Sequence, residues 1–523
     1  MAKNEKIIVI GAGIGGLACA LRLAAEGQDV TVVERHSQPG GKMRTQPSMA
    51  GPVDAGPTVL TMRPVFEDLF DSIGERLSDH VTLEPEDILA RHWWRDSSSL
   101  DLFADPEQSA AAVRDFAGPR AETEFRSFSK RMARLYDAFD GPMMQAQNPT
   151  LASLSAHVMR QPGLIPTMAP LSSLASLLKR QFSDPRLQQL FGRYATYVGG
   201  SPYQSPALLG LIWHSEARGV WRVAGGMHQL AQTLVRLAKD RGVEFKYNSH
   251  VSRLEVQSGK VAAVHLQQDI RLTCDKVVFN GDPDALIQGM LGEGTKTLLP
   301  KAATAPRSLS ACVWSFAAKV DGLDLQHHNV FFGQDPRHEF DPLRQGKIPD
   351  DPTLYICAQD RGLERAPPDL ERFEIIMNAP PTQNTDPSPQ EKETCQTLVF
   401  ETLRRFGLTF QETPGPETLI APAEFNALFP GSGGSLYGRS PHGMMAAFQR
   451  PTARTPLPGL YLVGGGVHPG AGIPMATLSA RHAAAAIMND LASTSMSHPT
   501  AMPGGISTGS KPAAGAPSRS SVS

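Results

Sequence analysis

The sequence predicts an α/β chain in which a parallel-sheet domain is interrupted by a second domain of helices and mixed sheet. Three observations predict it. Lys6 to Glu34 reads strand, glycine-rich turn, helix, strand and terminal acid. Strand–glycine–helix patterns return at Gly219–Leu237 and at Gly459–Ala486, with helices and alternating strands of a different style between them. The length, 523 residues, exceeds what a single compact core supports.

Lys6–Ile10 (KIIVI) is a β-branched apolar run of the kind buried on both faces of a parallel sheet. Gly11, Gly13 and Gly16 follow as G-x-G-x-x-G. The first permits a tight turn, the second lets the backbone approach a pyrophosphate, and the third lets helix pack on strand. Leu17–Ala25 reads as a helix of small and apolar residues closed by Gly27, its N-terminal N–H groups and positive dipole end free for phosphates. Asp29–Val33 is the second strand. Glu34 at its end is placed to accept from both ribose hydroxyls of an adenosine and to repel a 2′-phosphate. A lone G-x-G-x-x-G says little. Within one ordered βαβ unit it predicts a Rossmann-like domain that holds NAD or FAD.

Bulk composition narrows the class. A hydrophobic content of 41% and a charged content of 20% describe a soluble globular chain. A net charge of −2, with Lys and Arg scattered, offers nucleic acid no basic stripe. The five cysteines, Cys19, Cys274, Cys312, Cys357 and Cys395, are far apart, with no C-x-x-C. That argues against a disulfide framework, a zinc site or a redox dithiol, so no metal is expected, and it fits buried thiols in a reducing cytoplasm. No apolar run reaches bilayer-spanning length. The N-terminal lysines and apolar residues are interrupted at Gly11–Gly16 without a cleavage site, so they read as strand and turn rather than as a secretion signal.

After Glu34, Pro39, Gly40 and Gly41 make a turn able to lie against a ligand, flanked by Lys42 and Arg44. An NAD dehydrogenase has no need of this segment, whereas flavoproteins with two dinucleotide-binding domains carry it; the reading moves to FAD. Val53–Thr61 is expected to approach the flavin ring. A short helix is predicted from Phe66 to Gly74, a hairpin from His92 to Phe103, and helix from Pro106 through Ala138. Leu151–Phe182 is rich in Leu, Met, Ala and Pro, contains no acid, and ends in Lys179 and Arg180. It suits either a monotopic segment dipping into a lipid surface or a helical hairpin in a core. Leu187–Gly200 reads as a helix. Gly242–Leu266 reads as a strand and a hairpin through Ser258 and Gly259, and Lys276–Asn280 as a buried strand. Ser308–Ile376 alternates strands and turns, Ala379–Glu391 is a loop, and Gly459–Ala486 places a second helix N-terminus toward the cofactor's pyrophosphate and ribityl oxygens.

The assembled motifs resemble the bacterial carotenoid desaturases, the family of phytoene desaturase, over nearly the whole chain up to about Ala492. The markers are the first glycine motif with Glu34, P-G-G-K at Pro39–Lys42, D-A-G-P-T at Asp54–Thr58, and the run ending in HPGAGIP from His468 to Pro474. GKMRT at Gly41, GPVDAGPTVLTMR at Gly51, QLFGRYATYVGGSP at Gln189 and GVWRVAGGMHQLA at Gly219 are similar to the 1-hydroxycarotenoid 3,4-desaturase branch. Phytoene desaturases usually carry Gly-Gly-Thr where this chain has Gly225, Gly226 and Met227.

The resemblance implies an α/β fold with a Rossmann-like FAD-binding domain of the two-dinucleotide-binding-domain type and an inserted mixed-sheet and helical substrate domain. The FAD domain would comprise residues 1–65, 219–300 and 435–492, the substrate and membrane-contact domain 66–218 and 301–434, and 493–523 a disordered tail of Ser, Thr, Pro, Gly and Ala. Besides Gly11, Gly13, Gly16 and Glu34, the implied FAD contacts are Gly40, Gly41, Lys42, Met43, Thr58, Val251, Gly464, Gly465, Gly472 and Ile473. The implied reaction is introduction of a C3–C4 double bond into acyclic carotenoids bearing a C1 hydroxyl or methoxyl, in photosynthetic bacteria making spheroidene or spirilloxanthin. The implied setting is cytoplasmic and peripheral on the inner photosynthetic membrane, with oxygen or a quinone as electron acceptor.

Removing hydride and proton from neighbouring carbons needs a flavin, because no side chain accepts a hydride. Candidate proton acceptors are His468 in the glycine-rich loop and His214 and Glu216 in IWHSEARG. Other readings stay open: phytoene desaturation, a carotenoid isomerase or saturase, an FAD amine oxidase, and a non-enzymatic lipid chaperone of the GDP-dissociation-inhibitor type. A chaperone of that type has degraded phosphate loops, whereas here both glycine-rich loops look intact.

Overall fold

The computed structural model describes residues 5–267, 269–362, 366–384 and 388–496. A five-stranded, wholly parallel sheet runs in the order Leu460–Leu462, Lys276–Phe279, Lys6–Ile10, Asp29–Val33, Glu244–Lys246. Its alternating side chains feed two cores. Ile7 and Val9 pack under helices Ile14–Ala25, His228–Lys239 and Ile473–Met496, while Ile8, Val277 and Phe279 pack under the three-stranded sheet Val251–Gln257, Lys260–Leu266, Arg271–Thr273. Ser258 and Gly259, both with positive φ (50° and 75°), close the predicted hairpin.

The second sheet has seven strands in the order Leu419–Ile420, Ser310–Ala318, Glu371–Ala379, Leu354–Ala358, His328–Phe331, Ile88–Trp93, Ser99–Phe103. It is antiparallel except where His328–Phe331 meets Ile88–Trp93. One face, with Trp314, Phe316, Phe373 and Ile375, is sealed by helix Pro389–Arg405. Val330 and Phe332 turn the other way, into the core of a helical layer that includes helices Pro119–Phe139 and Pro185–Gly192.

Local departures from the sequence reading have identifiable causes. The first helix begins at Ile14, three residues early, because Gly15 and Gly16 lie inside it: a Cβ on Gly16 would stand 2.1 Å from the Gly11 carbonyl oxygen. The helix expected from Pro106 to Ala138 divides at Gly118 (φ 90°), which ends Pro106–Ala117 before Pro119 starts the next. The expected Leu187–Gly200 helix is Pro185–Gly192 followed by a 3₁₀ segment, Arg193–Val198. Leu151–Phe182 forms helices Leu151–Arg160, Leu164–Met168 and Leu174–Gln181. The last helix continues to Met496, past the boundary expected at 493; the remainder of the expected tail lies outside the described residues.

Candidate cofactor and substrate site

The carboxylate of Glu34 organises the first cradle. It is 5% exposed and accepts from the backbone N–H groups of Ala12 (2.7 Å) and His36 (2.8 Å). It thereby ties the glycine turn to the end of the second strand and keeps lone pairs for a ribose. Gly13 caps the first helix without any side-chain cap, so the amides of its first turn stay open. The second glycine pair docks directly on this turn. The Gly40 N–H donates to the Ala12 carbonyl (2.8 Å), and a Cβ on Gly41 would meet the Gly13 Cα at 3.1 Å.

The C-terminal cradle closes from the far edge of the sheet. The Gly464 N–H donates to Ser479 Oγ (2.8 Å), and Gly472 leads into the helix that starts at Ile473. Asn280, which the sequence reading passed over, links the cradles. Its Nδ2 donates to the Gly11 carbonyl (3.1 Å), and its Oδ1 would lie 2.7 Å from a Cβ on Gly464 and 2.8 Å from one on Gly15. Only its place at the end of a predicted strand beside the switch to Gly281 could have signalled it. Arg450 was missed for want of any motif. Its guanidinium donates to the carbonyls of Gly465 (2.9 Å), Tyr437 (2.9 Å) and Arg439 (2.8 Å), and burial lowers its pKa to about 10.

These segments surround a cavity of about 670 Å³. Gly11, Gly13, Glu34, Gly40, Gly41, Lys42, Met43, Val251, Gly464, Gly465, Gly472 and Ile473 all line it. The ammonium of Lys42 donates to the Leu436 carbonyl (2.5 Å) and lies 5.5 Å from the Phe429 ring; burial lowers its pKa to about 8. Beyond the glycines the lining includes an apolar stretch, Val313, Ile376, Phe425 and Leu436, beside the carboxyl of Glu374.

Five expected site residues stand elsewhere. Gly16 packs against Gly11, behind the lining, and Thr58 bonds the Tyr355 hydroxyl (2.8 Å) rather than facing the cavity. The three expected proton acceptors, His468, Glu216 and His214, are not among the residues that line this cavity. His468 uses Nε2 to donate to the Ala146 carbonyl (2.8 Å), packs beside His482, and shapes the loop. Glu216 accepts from the hydroxyls of Tyr194 (2.7 Å) and Tyr197 (2.5 Å) and sits near Arg193, in a closed buried network. His214 packs on Tyr136, with ring centroids 5.2 Å apart.

Two glycine cradles joined through Asn280 over one largely apolar cavity define a dinucleotide-dependent oxidoreductase. Comparison with known proteins takes this further. The family described as flavin containing amine oxidoreductase matches residues 14–488. A hydroxyneurosporene desaturase of Cereibacter sphaeroides is 54% identical, over 94% of this chain and 99% of its own length. A protein of the same name from Rhodobacter capsulatus is 48% identical, with the same coverage. The 4,4'-diapolycopene oxygenase of a Methylomonas species is 31% identical, over 93% of this chain and 99% of that one. Among solved structures, wild-type putrescine oxidase bound to putrescine superposes with a TM-score of 0.59 at 15% identity, covering 93% of this chain and 99% of that one. Cyclohexylamine oxidase from Brevibacterium oxydans gives 0.56 at 17% identity, covering 94% and 100%. The chain belongs to the flavin containing amine oxidoreductases and, within them, to the carotenoid desaturase family.

Its cofactor is FAD. The residues present fit that group. Gly465 lines the cavity without a positive φ, and a Cβ there would find no protein atom nearer than 3.6 Å. Nothing in the protein itself calls for glycine at this position; a large ligand against the backbone does.

Proposed function

We propose that this chain is the FAD-dependent desaturase that introduces the C3–C4 double bond into acyclic 1-hydroxy- or 1-methoxycarotenoids in bacterial carotenoid biosynthesis. What carries the reading is that three relatives, 44% to 54% identical and matched over 97% to 99% of their own lengths, share the name hydroxyneurosporene desaturase. The apolar wall of Val313, Ile376, Phe425 and Leu436 beside the glycines supports it, since a polyene needs a dry, greasy surface.

In this reading Gly11, Gly13, Glu34, Gly40, Gly41, Lys42, Met43, Val251, Gly464, Gly465, Gly472 and Ile473 hold the cofactor, Gly16 sets the packing behind it, and Thr58 supports the neighbouring loop. FAD, when bound, supplies the hydride acceptor. The protein lays an allylic C–H against the ring and excludes water. The conjugated chain itself spreads developing positive charge, which lowers the demand for a strong base. The FAD domain is proposed to comprise 1–65, 219–300 and 435–492, with the rest up to 434 forming the substrate domain.

Membrane contact belongs to the same proposal. No helix among the described residues is long and apolar enough to cross a membrane. Yet Leu171 is 94% exposed and Met159 72%, on the segment whose other side buries Leu154, Leu174 and Leu178 in the helical core. Such a layout suits peripheral docking on the cytoplasmic face of the inner membrane, from which an insoluble carotenoid enters. Electrons then leave to oxygen or a quinone; turnover lost without oxygen and restored by a quinone would identify the latter.

The test is pigment analysis of cells that make hydroxyneurosporene, with and without this chain. Conversion to demethylspheroidene is expected. Accumulation of lycopene in phytoene-producing cells, with hydroxyneurosporene left untouched, would replace the reading with phytoene desaturation.

A further inference from the structure

The cavity-side face of the seven-stranded sheet carries a polar row inside an apolar wall. Ser315 pairs with Glu374, Glu374 with Cys357, and Cys357 with His328, so four direct cross-strand neighbours project from the same face. Val313 and Ile376, one cross-strand step along, are apolar. A buried polar row of this kind ordinarily satisfies itself. This one does not: Ser315 Oγ, both Glu374 carboxyl oxygens and His328 Nε2 are buried without a well-formed hydrogen bond among the described residues, the Gly56 amide lying near Glu374 without closing one. The other ring nitrogen of His328 is engaged, bonding the Tyr355 hydroxyl (2.7 Å), which also bonds Thr58 (2.8 Å).

A metal is a poor explanation for the row. His327, His328 and Cys357 do bring ligand atoms within 4.8 Å of one another. However, the Arg222 guanidinium lies 3.4 Å from His327 Nδ1, and a fixed cation there opposes a second one. Of the row, Glu374 lines the cofactor cavity while being 0% exposed to solvent.

We propose that Glu374 binds the C1 oxygen of the substrate and sets the preference for 1-oxygenated chain ends. The proposal rests on the substrate class given above. C1 is two carbons from C3, so when the C3–C4 bond lies at the flavin the oxygen arrives at the wall of the same cavity, not at a distant tunnel end. Burial, reinforced by the Asp54 carboxylate and opposed by the Gly56 amide, raises the Glu374 pKa well above the usual carboxylate range. Burial thus favours the carboxylic acid over the carboxylate. A carboxylic acid donates equally to a hydroxyl or a methoxyl oxygen, and its carbonyl oxygen can accept from the hydroxyl. A carboxylate could not donate to the ether at all. An unsatisfied buried acid also disfavours a substrate end that lacks the oxygen, because such an end leaves the acid unpaired.

The experiment compares FAD-loaded wild type, Glu374→Leu and Glu374→Gln on a 1-hydroxylated acyclic carotenoid and on its counterpart without the hydroxyl. Flavin absorbance monitors folding of each variant. Wild type is expected to prefer the hydroxylated substrate in kcat/KM. Glu374→Leu is expected to shrink that preference by about 10²-fold, chiefly through KM. Glu374→Gln, which still donates and accepts, is expected to retain most of it. If wild type prefers the hydroxylated substrate and Glu374→Leu prefers it as strongly, the proposal falls and the substrate reading stands. If Glu374→Leu, with flavin bound, loses both substrates in equal proportion, the residue serves the chemistry common to both and the proposal again falls. If wild type shows no preference, the substrate reading fails and takes the proposal with it.

Discussion

Replacing Glu34 with alanine removes the acceptor for two backbone amides, the buried one of Ala12 at 2.7 Å and the half-buried one of His36 at 2.8 Å. A buried orphaned donor costs about 1–3 kcal/mol and the half-buried one less, so the apoprotein is expected to lose about 1–4 kcal/mol of stability in chemical denaturation. Glu34→Gln keeps one carboxamide oxygen for one amide but turns its NH₂ toward the other, so it should lose roughly half as much. FAD affinity reports a separate quantity. If the carboxylate also holds the adenosine ribose, losing charge-assisted bonds of about 1.5–3 kcal/mol weakens binding by about 10- to 100-fold. Fluorescence titration of FAD into the apoprotein measures this, and the denaturation series measures the backbone part. An unchanged FAD affinity in Glu34→Ala would refute the ribose role. Unchanged stability would refute the assignment of Glu34 as the tie between turn and strand.

Gly16→Ala places a methyl group 2.1 Å from the Gly11 carbonyl oxygen, so helix and turn must separate. A loss of about 1–3 kcal/mol and of bound flavin is expected, and a wild-type melting curve with full flavin content would contradict it. For Lys42, burial lowers the pKa to about 8 in the cofactor-free protein, while Asp282 opposes and Arg307 and Arg450 reinforce the shift. Its charged form is the one that burial disfavours, so its contribution to apoprotein stability improves as pH rises from about 8 toward the ordinary lysine value of 10.5. FAD phosphates need that same charge, so FAD affinity should weaken as pH rises through about 8; an inflection of equal size in Lys42→Met would exclude the lysine as its source. Leu171→Glu combined with Met159→Glu alters two residues that are 94% and 72% exposed. Co-sedimentation with anionic vesicles should fall, while activity on detergent-dispersed substrate persists; undiminished vesicle binding would move the docking face elsewhere.

The first βαβ unit was legible because its signals are local. Lys6–Ile10 and Asp29–Val33 have the bounds read from their β-branched runs. The inserted sheet was legible as alternating strands but not in its order, since pairing of His328–Phe331 with Ile88–Trp93 joins segments far apart in the chain. Helix Pro336–Arg344, with Pro342 inside it, gave no periodic pattern to read. Asn280, Arg450 and Glu374 went unnoticed for a common reason: each acts by where tertiary packing puts one side chain, and no neighbouring residue advertises it. His468 is the converse: a histidine in a conspicuous loop is legible in the sequence, but its bond to the Ala146 carbonyl is not.

The five parallel strands come from residues 6–10, 29–33, 244–246, 276–279 and 460–462. During synthesis, therefore, four strands emerge long before the fifth, and the cradle of Gly464, Gly465 and Gly472 follows every other strand of both sheets. FAD cannot be gripped from both sides until the segment from Leu460 to Ile473 has emerged. A chain ending before Leu460 carries the first cradle and lacks the second, so firm retention of the cofactor reports that this late strand and its glycine loop have been made.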